Sequence, residues 1–300
     1  MTFSSTDAAF EGFRVTRRHP VAVLAWAAVM LIANIGSGLA VGVLAGPAWT
    51  QFEALATSVT PDPVLTAQLM PKVMPAALVS MAVQMIAAAV VNASVLRALL
   101  RPERSAKLGL GRDEVRVVGL LALFFAVSVM ATIALSIVFG LLGAVSGAAA
   151  ELFAPAASLV VLLVLIMRLS LAGPMTIAEH RFRFRESWAA TRGWFWQLLG
   201  AEALAAALAL VVVFLAHMVF VAAIGAVVVA QGGALTDLGA MFSPDFSSVD
   251  KLLTPLPLVY VAFVSVLYAL VLVILIAPPV ELYRALRGGV ADADPLPRRS

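Results

Sequence analysis

The sequence predicts an all-α, polytopic membrane protein with six transmembrane helices. Of its 300 residues, 62% are hydrophobic and only 12% are charged, whereas soluble domains carry about 25% charged residues. Six apolar stretches are each long enough to cross about 30 Å of hydrocarbon at roughly 1.5 Å per residue. The mean hydropathy of +1.03 agrees with this assignment. The chain is therefore expected to fold in lipid.

The predicted helices divide the chain into three regions. They cover residues 21–45, 73–100, 117–143, 155–178, 194–230 and 255–286. A cytoplasmic or interfacial segment (1–20) precedes the transmembrane domain (21–287), and a disordered cytoplasmic tail (288–300) follows it. The first apolar run exceeds the length of a signal-peptide core, about 7 to 15 residues, so we predict a retained helix. The proline-rich loop 46–72 is predicted to have little secondary structure.

The distribution of basic residues predicts the orientation. Arg and Lys number three in the N-terminal segment, six after the second helix, five around the end of the fourth and four at the end of the sixth. Only Lys72 and Lys251 lie on the other side. Basic residues concentrate in cytoplasmic loops, so we predict three hairpins with interfacial elbows, both termini cytoplasmic, in the bacterial inner membrane.

Several chemistries are disfavoured by what the sequence lacks. It contains no cysteine, which excludes disulfides, thiolate metal sites and cysteine nucleophiles. It also contains no metalloprotease, serine-hydrolase or phosphate-loop motif, and no His and carboxylate set with metal-ligand spacing. The net charge of +3 is small and lies in short loops, so it does not indicate a nucleic-acid partner. We therefore expect no catalytic residue, no metal and no cofactor.

The most informative stretch is the connection between the fourth and fifth helices, residues 168–199, which we call the elbow. Pro174 predicts a bend, and residues 180–186 alternate Arg with Phe, which predicts an irregular surface connection. Ser187 is predicted to cap a short helix that Gly193 ends. The aromatic residues that follow predict an anchor at headgroup level.

The elbow is the predicted site of contact with anionic headgroups, because arginines are attracted to an anionic leaflet and tryptophans fix their depth. The residues predicted to make this contact are Arg181, Arg183, Arg185, Trp188, Arg192, Trp194 and Trp196. The alternative, that these arginines only set the topology, stays open.

Polar side chains inside the spans form a second group, because they are costly in lipid and should face protein, water or one another. The ionisable ones are Arg168, Glu202, His217 and Glu281. Arg168 and Glu202 are predicted at similar depth on an antiparallel hairpin, where they could form an ion pair; in the alternative, Arg168 snorkels to the inner interface. His217 is interpreted as a packing or hydrogen-bonding group, with a proton relay as the alternative.

Two short matches suggest an internal repeat. Residues 11–17 and 186–192 share Glu, an aromatic residue, Thr and Arg at equal spacing, and each stretch precedes an apolar helix. Arg-Ala-Leu occurs both at residues 97–99 and at residues 284–286, each time at the end of a helix. The matches predict odd helices entered through an interfacial segment and even helices that end on a basic one.

These motifs also carry a family resemblance. Several short motifs of the chain resemble those of a bacterial membrane-domain family. They are Arg168-Leu169-Ser170-Leu171-Ala172 to Pro174, then Glu179, Ser187-Trp188, Thr191-Arg192-Gly193, Phe195-Trp196 and the ending 282–287. That family is the membrane domain attached to some glycerophosphodiester phosphodiesterases, together with stand-alone relatives of unknown function. The resemblance implies a six-helix membrane domain. The helices and loops use nearly all 300 residues, which leaves no room for a barrel of about 250 residues, so the resemblance implies no hydrolase activity.

Three classes of function follow. The first is a non-enzymatic integral inner-membrane protein in an envelope or lipid-related role, which binds anionic lipid headgroups, or a membrane-protein partner, through its basic, Trp-rich cytoplasmic face. The alternative is a small-molecule or lipid transporter with a site between the fourth, fifth and sixth helices, where Pro174, Pro278 and Pro279 interrupt the helical pattern. The third, an intramembrane enzyme, is the least supported by the motifs.

Overall fold

A computed structural model describes residues 3–58, 62–101, 108–109, 111–146, 148–232 and 253–293. These residues form ten helices and no strand. The helices are α1 (Ser5–Arg18), α2 (Pro20–Leu44), α3 (Pro47–Ala56), α4 (Pro63–Leu100), α5 (Arg112–Ser146), α6 (Ala148–Leu169), α7 (Ala172–Glu179), α8 (Phe184–Ala190), α9 (Phe195–Ala230) and α10 (Pro255–Ala293).

Within the described part of the chain, six stretches are long and apolar enough to cross a membrane. They are Pro20–Leu44, Pro63–Leu100, Arg112–Gly143, Phe153–Glu179, Phe195–Ala230 and Pro255–Gly288. Their surfaces carry large apolar side chains that face away from the protein, such as Leu210, 69% exposed, and Val219, 70% exposed, on α9. Contiguous apolar surface of this kind is suited to lipid and not to water. The predicted number of membrane helices is confirmed.

The chain divides into two compact units. The first contains Met1–Arg18, Asn92–Ala207 and Val273–Ser300, and the second contains His19–Val91 and Leu208–Leu272. The first unit thus holds the N-terminal helix, the elbow and the ends of α4 and α10, which are the four basic segments of the chain. Which side of the membrane this unit faces stays a prediction.

A chain of polar side chains connects three helices of the second unit. Gln84 on α4 donates from Nε2 to Oδ1 of Asn34 on α2 at 2.8 Å. Asn34 donates from Nδ2 to Oγ of Ser265 on α10 at 3.0 Å, and Ser265 donates to the carbonyl of Val261 at 2.7 Å. Side-chain hydrogen bonds of this kind join helices in lipid. The polar side chains of Asn34 and Gln84, which lie inside the spans, therefore face protein.

In the first unit, α1 lies close against the middle of α10. The buried residues of α1 include Ala8, Ala9, Gly12 and Val15, which lie on one face of the helix. A Cβ added at Gly12 would lie 2.5 Å from Cα of Ile274. Because the obstacle is backbone and not a mobile side chain, only glycine permits this approach. Helix α1 is thus an amphipathic helix that packs against α10 within the first unit.

Replacing Gly12 with alanine is expected to lower the free energy of unfolding by about 1 to 3 kcal/mol, because the added methyl group must push α1 away from α10. Gly200 on α9 is the matched control, since a Cβ there meets no atom within 4 Å. Gly200→Ala should be neutral or stabilising by up to about 1 kcal/mol. Unfolding in detergent measures both, and equal effects would contradict close packing at Gly12.

The prediction that loop 46–72 has little secondary structure is wrong. The loop contains α3 and the first turns of α4. Pro47 and Pro63 occupy the first position of their helices, where a missing N–H costs nothing. Asp62 accepts the backbone N–H of Val64 at 2.8 Å and so caps α4. Two further prolines, Pro71 and Pro75, lie inside α4.

The C-terminal helix is longer than predicted. It runs to Ala293 and so covers the first part of the segment 288–300 that was predicted to be a disordered tail. Residues 294–300 lie outside the described part of the chain, as do most of the residues between the fifth and sixth predicted helices, 231–254.

Candidate functional site

The elbow bends before Pro174 and not at it. Helix α6 ends at Leu169, a two-residue turn follows, and α7 begins at Ala172 with Pro174 in its first turn. Proline suits this position because the first amides of a helix have no intrahelical acceptor. Helix α7 ends at Glu179, and the next residue, His180, adopts the left-handed conformation with φ of 55°. The chain therefore turns twice between the fourth and fifth spans.

Ser187 does not cap a helix, which corrects the prediction. It lies inside α8, fully buried, and its Oγ donates to the backbone carbonyl of Arg168 at 2.9 Å. The last carbonyls of a helix need such an external donor. Thr191 donates in turn to the carbonyl of Ser187 at 3.0 Å. The Ser187 hydroxyl attaches α8 to the end of α6, and the Thr191 hydroxyl bonds back to α8 itself.

The same local geometry occurs in α1, which bears on the predicted repeat. Thr16 donates to the carbonyl of Gly12 at 2.9 Å, as Thr191 does to that of Ser187. In the sequence match Thr16 corresponds to Thr191 and Gly12 to Ser187. Both stretches thus place a small buried residue one helical turn before a hydrogen-bonding threonine.

The predicted headgroup arginines are of two kinds. Arg183 lies between Glu179 and Glu186, with Nε and Nη1 each 2.8 Å from a carboxylate oxygen. The hydrogen bond between Arg183 and Glu186 raises the pKa of the guanidinium and lowers that of the Glu186 carboxyl. Arg183 is thus engaged within the protein. Its role is to join the end of α7 to the start of α8.

The other three predicted headgroup arginines are available to a ligand. Arg181, Arg185 and Arg192 are exposed, and none has an ion-pair or hydrogen-bond partner among the residues that the structure describes. A charge-assisted contact to an anion therefore requires no internal bond to break.

The tryptophans of the elbow also differ from one another. Trp196 is 79% exposed, which suits an interfacial anchor. Trp194 packs edge to face against Phe3, with ring centroids 6.2 Å apart. Trp188 lies under the guanidinium of Arg168 at 5.8 Å. Trp196 is therefore the elbow tryptophan with the most surface for lipid.

Arg168 and Glu202 do not form the predicted ion pair. The guanidinium of Arg168 lies 5.2 Å from the ring centroid of Phe195 and faces Trp188 as well. The prediction assumed one continuous fourth helix. Because α6 ends one residue after Arg168, the side chain lies at a helix C-terminus, which favours a cation, beside the aromatic residues of the elbow.

Glu202 instead lines a cavity of about 700 Å³ within the first unit. Its walls come from α4 to α10, and their polar side chains are those of Asn92, Ser170 and Glu202. Pro174 and Pro279, which were predicted near a transport site, also line it. The Glu202 carboxylate has no hydrogen-bond or ion-pair partner among the described residues. One acidic group thus lines a cavity whose other described lining is apolar except for Asn92 and Ser170.

The remaining two intramembrane groups are engaged within the protein. His217 contacts the carbonyl of Val213 through Nδ1 at 2.9 Å, and its ring lies 5.0 Å from that of Phe263. Glu281 pairs with Arg284 one turn further along α10. The geometry of His217 is that of a packed, hydrogen-bonded side chain.

One arginine cluster was not predicted as a site. The side chains of Arg97, Arg101, Arg284 and Arg287 line a second cavity, at the ends of α4 and α10. The sequence signal was the repeated Arg-Ala-Leu, which was interpreted as helix topology alone. Only the folded chain shows that its two copies meet, since Arg284 donates to the backbone carbonyl of Leu99.

The six apolar spans and their lipid-suited surfaces define a multi-pass integral membrane protein. No family model matches the chain, and neither does any curated protein or solved structure. The class of the protein therefore rests on its helices, and the resemblance to the phosphodiesterase-associated membrane domain stays a prediction.

Proposed function

We propose that this chain is a non-enzymatic protein of the bacterial inner membrane, in an envelope or lipid-related role, that binds anionic lipid headgroups through its elbow. The supporting observation is that Arg181, Arg185 and Arg192 are exposed and that their side chains form no ion pair or hydrogen bond with a described residue. Trp196 supplies an aromatic anchor close to them in sequence. In this proposal the elbow and both termini face the cytoplasm, where anionic lipids attract polybasic segments. Membership of the phosphodiesterase-associated membrane-domain family is part of the proposal.

Changing Arg181, Arg185 and Arg192 together to glutamine is expected to release bound anionic lipid. Each arginine near an anionic surface contributes about 1 kcal/mol, so the loss for three is about 3 kcal/mol, or roughly a hundredfold in affinity. Native mass spectrometry of protein extracted from membranes rich in phosphatidylglycerol measures the lipid retained.

The matched control removes three arginines that already form ion pairs. Arg14 and Arg18 pair with Glu11, and Arg183 pairs with Glu179 and Glu186. Changing these three to glutamine removes the same total charge, but only from guanidinium groups that are already paired with carboxylates. Lipid retention should therefore stay nearly unchanged. Equal losses in both variants would mean that only net charge matters, and would contradict a headgroup site at the elbow.

The cavity around Glu202 favours a second candidate function, transport of an apolar molecule that carries one positive charge. Small-molecule sites combine an apolar lining with a few placed polar groups. An ionised carboxylate in apolar surroundings is costly without a counter-charge, and the described residues supply none. Such a ligand would offer both the apolar surface and the missing cation.

The lipophilic cation tetraphenylphosphonium is a direct probe of this candidate. Because this cation also enters protein-free liposomes, uptake is measured relative to them: proteoliposomes with the protein should take it up faster, and Glu202→Gln should reduce the protein-dependent rate by roughly tenfold or more, the value of one lost charge-assisted contact. Glu53→Gln is the control, because Glu53 contacts Trp49 on the exposed helix α3. Binding without faster uptake, or protein-dependent uptake that Glu202→Gln leaves unchanged, would exclude transport through this cavity.

A further inference from the structure

A cavity of about 340 Å³ lies where α4, α7 and α10 end. Four arginines line it: Arg97, Arg101, Arg284 and Arg287. Tyr283 lines it as well, together with three apolar residues. No carboxylate belongs to this wall within the described residues. The polar groups that a ligand would meet are thus guanidinium groups and a phenol.

Three of these arginines have an internal counter-charge, and the fourth has none among the residues that the structure describes. Arg97 lies 2.6 Å from a carboxylate oxygen of Glu114, Arg284 pairs with Glu281, and Arg287 lies 2.8 Å from Glu179. Arg101 is exposed and has no partner among the described residues. The ion pairs hold three guanidinium groups in place, and Arg101 adds a positive charge that nothing described compensates. An anion is the ligand that this charge pattern favours.

Tyr283 provides a second, independent indication of a missing ligand. The residue is 5% exposed, and its hydroxyl is buried without a hydrogen-bond partner. Buried hydroxyl groups are nearly always hydrogen-bonded in folded proteins, so each exception calls for an explanation. The guanidinium of Arg287 lies 5.3 Å from the centroid of the same ring. An oxyanion in the cavity could accept from both the phenol and the arginines.

The geometry points to a phosphate group as the ligand. We propose that this cavity binds the phosphate of an anionic ligand, with Arg101 as the available cation, the other three arginines as a fixed wall and the Tyr283 hydroxyl as a donor. Guanidinium groups match the tetrahedral, multiply charged phosphate through paired N–H donors. The site is distinct from the elbow arginines and does not depend on the function proposed for them.

A phosphate could come from a lipid headgroup or from a soluble molecule, and the two sources offer the same chemistry. The apolar part of the wall, Leu100, Ile177 and Ala178, would contact the glycerol and first methylenes of a lipid. The cavity also lies at the ends of two spans, α4 and α10, where headgroups are found. The experiment therefore needs one arm for each source.

The test uses the full-length protein in nanodiscs and the double variant Arg101→Gln, Tyr283→Phe. In one arm, nanodiscs of phosphatidylcholine are titrated with inorganic phosphate. In the other, nanodiscs contain increasing amounts of phosphatidic acid, whose headgroup is a phosphate monoester. The shift in the midpoint of thermal unfolding reports binding in both arms, because a ligand of the folded state stabilises it.

We expect the wild-type protein to be stabilised in at least one arm, and the double variant to bind roughly tenfold more weakly or worse, since it lacks one charge-assisted contact and one hydrogen bond. A response to phosphatidic acid alone identifies a lipid headgroup, and a response to phosphate alone identifies a soluble ligand. Both responses together identify the phosphate group as the recognised part.

Arg17→Gln is the control, because it removes one exposed cation that forms no ion pair or hydrogen bond with a described residue and lies outside both the elbow and the cavity. It should bind as the wild type does. Should Tyr283→Phe alter folding, Arg101→Gln alone carries the test, since Arg101 has no described partner to lose. No stabilisation in either arm, or equal binding by wild type and variant, would overturn the proposal. Binding that the elbow variant Arg192→Gln weakens and the double variant does not would assign the phosphate to the elbow instead.

Discussion

Replacing Glu114 with glutamine is expected to lower the free energy of unfolding by about 2 to 4 kcal/mol, because it leaves a partly buried guanidinium without its carboxylate. The Glu114 side chain is 7% exposed, and one of its oxygens lies 2.6 Å from Nη2 of Arg97. The other oxygen accepts the backbone N–H of Gly111 at 2.9 Å, just before α5 begins. The value is below that of a fully buried pair because the side chain of Arg97 is 27% exposed.

A double-mutant cycle separates the pair from its surroundings. The combined variant Arg97→Gln, Glu114→Gln should cost less than the sum of the single changes, since it leaves no isolated charge. Glu186→Gln is the control, because Glu186 pairs with Arg183 at the surface and its side chain is 52% exposed; no measurable change is expected. Strictly additive single effects at Arg97 and Glu114 would show that the pair does not hold α4 and α5 together.

The second large effect is expected in the core of the first unit. Leu198 is fully buried and packs with Met167, Leu171, Leu282 and Tyr283. Leu198→Ala should lower the free energy of unfolding by about 2 to 5 kcal/mol, because the packed neighbours only partly fill the space left behind.

Leu210, three turns further along the same helix, is the matched control for Leu198. It is 69% exposed, so its side chain mainly contacts lipid. Shortening it removes few contacts with the protein and therefore costs little. Leu210→Ala should change the free energy of unfolding by less than about 0.5 kcal/mol. Unfolding of both variants in the same detergent gives the comparison. A cost at Leu210 that equals the cost at Leu198 would mean that α9 is enclosed by protein along its whole length.

The two arginine surfaces differ in how they can act. At the elbow, Arg181, Arg185 and Arg192 are exposed and form no ion pair with a described residue, so an anion can approach their side chains from several directions. At the cavity, ion pairs with Glu114 and Glu179 hold guanidinium groups in one arrangement. Fixed donors favour one ligand geometry, whereas exposed ones favour any anionic surface. Selectivity is therefore expected at the cavity and charge-dependent affinity at the elbow.

The predicted positions of helix starts and breaks were wrong where proline was taken to interrupt a helix. Pro47 and Pro63 begin helices, and Pro71 lies inside one. The fourth span does break, but at residues 170–171, ahead of Pro174. A proline restricts only its own amide and the preceding residue. Whether the helix continues depends on neighbours that can satisfy the freed carbonyls, and these neighbours are tertiary.

The sequence by itself determined the class of the protein and the number of its spans. Both follow from hydropathy and length, which act locally: a long apolar stretch must satisfy its backbone within its own helix wherever its neighbours lie. The basic segments could likewise be located from the sequence, because charge needs water or a headgroup. The repeated Arg-Ala-Leu showed that two helices end alike, but not that the two ends meet.

Only the tertiary structure decided which charges are paired and which are available. Arg183 and Arg185 are two residues apart and read alike in the sequence, yet one lies between two carboxylates and the other is exposed without a described partner. Arg168 contacts aromatic rings and Glu202 lines a cavity, although their predicted depths matched. Pairing depends on the rotation of each helix and on where it ends, to within one residue. Those quantities are set by packing between segments that are distant in the chain, which hydropathy does not encode.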